Sequence, residues 1–361
     1  MGLPELTFTL TRAAQTTAAR VSSGIVAMIL RDTKAHGLHT IHRESDIPAD
    51  LSVANTAAVK LAMVGYINKP DRVYVCVIDA EDDIEVGFSA LLQHSYDYLV
   101  GPMDISAEDA TKLADLVKSW RNKRYIGKAV LPETAADNEG VVNFTANGIA
   151  ANVETSTSAQ YAARVAGMLA GTPAACSATY GALPEVTSVD TMEDPDAAVD
   201  AGKLFLLDDG RQVKLSRAVT SKVTLGATEP PALKKVKLVA ALDLIRYYTM
   251  SAVEDDYLGK CANTYDNKCI LLTALRGYLD TLESRGVLQS GSYGVSLDAA
   301  AIRAYLIQKA ESEGNTDEAT RIRGLEDEAL RKEDTGSHVF IAMHGRLLDA
   351  MEDFHIALEV Q

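Results

Sequence analysis

The chain has 361 residues, with 35 Lys and Arg against 50 Asp and Glu, a formal net charge of −15, and 47% hydrophobic residues. This is the composition of a globular protein of about two domains at roughly 150 residues each. Its acidity argues against a phosphate-neutralising surface, so neither nucleic acid nor anionic lipid is expected as a partner.

The four cysteines Cys76, Cys176, Cys261 and Cys269 are too few for a disulfide scaffold and fit synthesis in a reducing cytoplasm. The first residues lack a basic stretch followed by an apolar run, so no signal peptide is expected. No apolar run approaches the ~20 residues of a membrane helix.

In chain order, Leu6, Phe8 and Leu10 alternate with Thr7, Thr9 and Thr11, which predicts a short strand with one buried face. A small, polar run over residues 13–23 follows and predicts a linker, so the first strand stands off from what comes next. From Gly24 to Phe205 apolar runs alternate with helical stripes. Residues 25–30, 73–78 and 126–131 read as strands covered on both faces. A helix is expected from near Ser52 to Asn68-Lys69-Pro70. Another is capped by Ser106 and carries Ala110, Leu113, Ala114, Val117 and Trp120, and a third runs from Ser158 to Gly171. Such alternation implies βαβ units and a mainly parallel sheet with flanking helices.

Residues 203–207 and 213–219 flank Asp209-Gly210, a hairpin signal. Two long helices are expected over residues 233–253 and 265–285, the second burying Leu271, Leu275, Tyr278, Leu279 and Leu282 and ending at Gly286. Residues 309–334, dense in charge, read as solvated. The chain closes on two apolar strands, residues 339–343 and residues 354–360, the latter with Phe354, Ile356, Leu358 and Val360 on one face.

Catalytic signatures are sparse. No Walker A loop, G-x-G-x-x-G or G-x-S-x-G elbow is present, so no cofactor is expected. His36, His39 and His42 recur every three residues, but in a loop or strand that spacing sends neighbours to opposite faces, so no metal is expected. Cys261 and Cys269 lack companions at zinc spacing and read as one surface and one core thiol. Glu81-Asp82-Asp83 and Glu254-Asp255-Asp256 read as solvated loop carboxylates. Asp243 lies among Val239, Ala240, Leu242 and Ile245; if buried it needs a partner, with Arg217 or Arg246 expected, the alternative being a catalytic acid.

The strands at the two ends stand out more than any chemistry. An unpaired apolar strand is an aggregation hazard unless it has a destination. These strands either pair within their own chain or add to neighbouring subunits through backbone hydrogen bonds.

Several motifs together resemble the contractile tail sheath proteins of phages and phage-tail-like bacteriocins, in the short form of Gram-positive hosts and their prophages. They are Gly2-Leu3-Pro4-Glu5, Gly24-Ile25-Val26-Ala27, Lys69-Pro70, Tyr257-Leu258-Gly259-Lys260 with Asn263 and Tyr265-Asp266-Asn267-Lys268, Asp334-Thr335-Gly336-Ser337-His338-Val339-Phe340, and Leu348-Asp349-Ala350-Met351-Glu352-Asp353. Residues 137–156 and 184–200 carry no such signature.

The resemblance implies a structural protein and not an enzyme, with an α/β domain like half of a subtilisin-like fold without its catalytic residues, and an α+β C-terminal domain with extended N- and C-terminal β arms. It implies an arm and linker at residues 1–23, the α/β domain at 24–205, the C-terminal domain at 206–335 and closing strands at 336–361. It further implies six-membered rings stacked helically around an inner tail tube, with baseplate and tail terminator proteins as partners, in a particle made in the bacterial cytoplasm. The expected interface residues are Leu6, Phe8, Leu10, Val339, Ile341, Met343, Phe354, Ile356, Leu358 and Val360. Lys234, Lys235 and Lys237 read first as a solvated helix start, a contact for an acidic tube being the alternative. Rival readings are an α/β hydrolase-like enzyme and a tail tube or baseplate protein.

Overall fold

The computed structural model describes residues 24–359 apart from 124, 152 and 153. The expected N-terminal strand, with Leu6, Phe8 and Leu10, and the final Val360 lie outside the described residues.

The α/β part is built on β1 (Ile25–Arg31), whose unbroken apolar run has both faces buried. Its alternation sorts residues into two layers. Val26, Met28 and Leu30 pack with α1 (Val53–Val64) and α4 (Ser158–Ala170), while Ile25, Ala27 and Ile29 pack with α2 (Ile84–Leu91) and α3 (Ala107–Arg121). The strands β2 (Gly37–Ile41), β3 (Arg72–Ile78), β4 (Tyr98–Val100), β5 (Lys128–Pro132), β6 (Val141–Phe144) and β10 (Lys203–Leu204) complete a seven-stranded sheet in the order β10-β6-β5-β4-β1-β3-β2. Every neighbouring pair in it is parallel except β2 with β3. The expected mainly parallel sheet with flanking helices is thus the fold of this part.

The local signals act as their chemistry dictates. Ser52, Ser106 and Thr157 each cap a helix by accepting from the backbone N–H three residues on. The first of these helices stops earlier than expected, at Val64 instead of Asn68. Gly65 turns the chain at φ +72°, and a Cβ there would come within 2.1 Å of the Asn68 carbonyl oxygen.

Residues without a sequence signature form a second, antiparallel sheet of β7 (Ile149–Ala151), β8 (Glu154–Ser156) and β9 (Val186–Ser188), followed by α5 (Pro195–Asp200). The hairpin around Asp209-Gly210 forms between β11 (Leu206–Asp208) and β12 (Val213–Leu215). Lys203 and Leu204 do not belong to it; they join the parallel sheet.

The structure divides within α6 (Val236–Ala252): residues 24–244 with 349–359 form one unit and Ile245–Leu348 the other. The boundary expected at residue 205 does not coincide with this division. Leu206, Val213 and Leu215 are buried in the same core as β1, which ties the hairpin to the α/β unit. Residues 349–359 likewise group with that unit, not with the preceding strand.

In the second unit α7 (Tyr265–Ser284) buries Leu271, Leu275, Tyr278, Leu279 and Leu282 and is followed by Gly286 at φ +72°, as expected. β13 (Gly294–Leu297) pairs antiparallel with β14 (Ile341–His344). Residues 309–334 are not simply solvated. The end of α8 (Ala299–Ser312), α9 (Thr316–Arg323) and α10 (Asp327–Leu330) cover them, and Ile322 and Leu330 pack with Leu297, Ile302 and Leu306. A few apolar residues in a charged stretch, Ala319 and Leu325 besides Ile322 and Leu330, suffice to seat it on a small core. Among the described residues no helix is long and apolar enough to cross a membrane.

Candidate subunit interface

The residues weighed for chemistry are occupied with structural work. His36 and His39 donate from Nε2 to the carbonyls of Asp32 and Ala35, at 2.9 and 2.7 Å, and the backbone N–H of His42 donates to Asp46. His39 lies in β2, so the three rings do not converge. Among the described residues no three His, Cys, Asp or Glu side chains gather as metal ligands. Asp83 caps α2 and Asp82 accepts the Asp79 N–H, both as turn carboxylates. Residues 254–256 sit in a π-helical turn, Cys261 is exposed and Cys269 half-buried.

Asp243 is buried and paired, but not with the expected arginines. Arg121 grips it through two hydrogen bonds of 2.9 and 3.1 Å and Lys128 adds a third at 2.9 Å. Burial opposes the Arg121 charge, and the Asp243 and Glu139 carboxylates outweigh it, holding the guanidinium above its ordinary value. The buried Asp243 carboxylate is held on both oxygens by two cations, the pattern of an internal tie. Arg217 instead pairs with Asp353.

The features that remain are edges. Within the second unit β13 and β14 form a sheet of only two strands, so among the described residues each keeps an outer edge without a strand beside it. Ile341 and Met343 lie in β14 and Val339 just before it. This strand therefore pairs within its own chain on one side and offers its other side.

Beside it lies an open cleft of about 840 Å³, lined by Tyr257, Leu258, Lys268, Leu271, Val339 and Ile341. Two of the motifs that carried the resemblance meet there. Asn263 Nδ2 donates to Thr335 Oγ1 and to the carbonyls of Gly336 and His338, at 3.2, 2.6 and 3.1 Å, and Lys268 Nζ donates to Thr335 Oγ1 at 3.4 Å. The Asn263 Oδ1 atom is buried without a partner. Sequence distance hid this meeting, although both motifs had been singled out.

Residues 354–359 form no ladder among the described residues, contrary to the strand expected there. Phe354, Ile356 and Leu358 are 68%, 87% and 84% exposed. Three large apolar side chains at alternate positions are thus left in solvent, the pattern of a strand without its neighbour.

The lysine cluster is not an exposed patch. Lys235 bonds Asp349 at 2.6 Å and Glu352 at 3.0 Å. Burial works against its charge, and these carboxylates more than offset it, so its ammonium is held above its ordinary value. Lys237 is buried, and burial pushes its ammonium down. Lys234 is half-buried in a short 3₁₀ turn. Glu352, the acidic centre of this contact, also accepts from Ser177 Oγ at 3.0 Å and Thr179 Oγ1 at 2.7 Å. Sequence reading missed its role, although it lies in the quoted motif at residues 348–353.

The pattern of the phage tail sheath protein central domain matches residues 80–221. The tail sheath protein of the Clostridium phage phiCD119 is 32% identical over 349 residues, covering 94% of each chain. Among solved structures, a sheath tail protein from Listeria innocua has a TM-score of 0.68 at 14% identity, over 80% of this chain and 92% of that one. The helical sheath protein of the anti-feeding prophage in its contracted state has a TM-score of 0.67 at 13% identity, over 99% of each chain. These last two likenesses concern the fold; the extended identity to the phage protein concerns descent. With this relative along almost its whole length, the chain belongs to the tail sheath proteins, a family of structural proteins and not of enzymes.

Proposed function

We propose that the chain is the subunit of a contractile tail sheath, polymerising as six-membered rings stacked helically around an inner tail tube and contracting to drive that tube through a bacterial envelope. Its α/β unit is read as the half-subtilisin-like fold without catalytic residues. Its partners are other copies of itself, the tube protein, and baseplate and terminator proteins at the two ends, in a particle assembled in the host cytoplasm. The solved relatives described as a contracted helical sheath and as part of a baseplate support this reading.

The observation that carries it is the exposed alternation of Phe354, Ile356 and Leu358, together with a β13–β14 sheet whose outer edges carry no further strand among the described residues. Strand addition between copies satisfies both. Each apolar side chain buried contributes about 1.5–3 kcal/mol and each backbone hydrogen bond about 0.5–1.5 kcal/mol, against about 1–2 kcal/mol per residue ordered. One arm alone binds weakly; many arms engaged together hold by avidity. With no nucleotide motif in the sequence, the work of contraction is stored in the assembly, as interfaces that repack between two arrangements.

Negative-stain microscopy of the purified protein tests the reading. Tubes or rings of sheath-like diameter are expected. A discrete small oligomer at every concentration would reject it.

A further inference from the structure

The C-terminal segment does not simply trail from β14. Residues 349–353 are fastened to the α/β unit through Asp349, Glu352 and Asp353, while Met351 between them is exposed. Glu352 is the centre of the fastening: its side chain is 6% exposed and accepts from Ser177, Thr179 and the Lys235 ammonium, at 3.0, 2.7 and 3.0 Å. Asp349 meets the same Lys235 at 2.6 Å, and Asp353 meets Arg217. Immediately after Asp353 every described residue is exposed, up to Glu359.

Buried charge-assisted hydrogen bonds of this kind define a geometry, because a half-satisfied set is costly. The flanking pairs are more exposed and worth little alone. Ser177, Thr179, Arg217 and Lys235 come from three separate stretches of the α/β unit, and all of them converge on residues 349–353.

We propose that Glu352 is a positioning residue: it roots the C-terminal arm on the α/β unit, so that the arm is a short tether of fixed origin and not a loose tail of β14. This rests on the reading that residues beyond Asp353 add to another copy. The root determines how far and in which direction that strand reaches. Release of the clamp adds residues 349–353 to the tether. Effective concentration falls roughly as the −3/2 power of tether length, so this release costs at least about twofold in arm engagement.

The test uses the full-length protein, its Glu352→Ala and Lys235→Gln variants, and a chain ending at Asp353. Unpolymerised protein is nicked briefly with thermolysin and the cut sites are read by mass spectrometry; the critical concentration for polymerisation is read by sedimentation. Wild type is expected to be cut first within residues 354–359, leaving a product that persists through Asp353. In either variant cuts spread back to Leu348 and Met351, and the critical concentration rises at least twofold with thermal unfolding little changed. Equal early cutting of wild type at Met351, or variants that polymerise at the wild-type concentration, would overturn the clamp. If the chain ending at Asp353 polymerises normally, the arm reading itself fails, and the wild-type cleavage pattern alone then judges the clamp.

Discussion

Arg121 and Asp243, 122 residues apart in sequence, meet as a buried two-pronged ion pair, and Lys128 closes the group from the floor of the sheet. The pair joins the last turn of α3 to the middle of α6, so it fixes the start of that long helix on the α/β unit. Removing one partner strands charge in a nearly dry site. Asp243→Ala is therefore expected to destabilise the unit by about 3–5 kcal/mol, whereas a surface ion pair such as Lys332–Glu328 contributes less than about 1 kcal/mol. Urea unfolding of Asp243→Ala and Glu328→Ala side by side checks this. Equal midpoints would contradict it.

Gly167 lets α4 approach α1 closely, since a Cβ there would lie 2.1 Å from the Ala62 carbonyl oxygen. A backbone atom cannot step aside as a flexible side chain can. Gly167→Val is expected to cost about 3 kcal/mol through overpacking. The same urea titration reads it, and a change below about 1 kcal/mol would mean that the helices can part freely.

Acid should weaken the α/β unit in a defined direction. The Ser52 backbone N–H, with help from Asn55 and the Lys34 N–H, holds the Asp32 carboxyl well below the usual carboxylate range. The Val223 and Thr224 N–H groups lower Asp137 in the same way. A carboxyl whose pKa is lower in the folded than in the unfolded chain contributes stability that is full above about pH 4 and is lost as pH falls through the folded value. Melting temperatures should thus drop from pH 4 to pH 2, and Asp32→Asn should flatten that drop while lowering stability at pH 7. Parallel curves for the variant and wild type would contradict the assignment.

The parallel sheet was legible because β1, β3 and β5 are apolar without alternation, and such runs fit strands buried on both faces. The helix caps were legible for the same local reason. What escaped was long-range: Asp243 gives no sign that its partners are Arg121 and Lys128, and Ala319, Ile322, Leu325 and Leu330 are too few to mark a core amid so much charge. Gly65 was overlooked as a helix stop because Pro70 offered a louder one. Residues 354–360 failed differently. Their period of two was real as a pattern, yet among the described residues no strand stands beside it, so the sequence signal described a pairing that lies outside them.

Charge sets the conditions of assembly. Copies carrying −15 each repel at short range, and salt screens that repulsion within about 10 Å at 0.1 M. Polymerisation should quicken as salt or a divalent cation is added, followed by light scattering. Fastest assembly at the lowest ionic strength would contradict this.

The central claim, that exposed terminal segments knit copies together, is tested most directly by ending the chain at Asp353 and following the truncated protein by circular dichroism and electron microscopy together. The account predicts a chain with unchanged secondary structure and unfolding midpoint that no longer forms tubes or rings. A truncated chain that polymerises as the full-length protein does would contradict it.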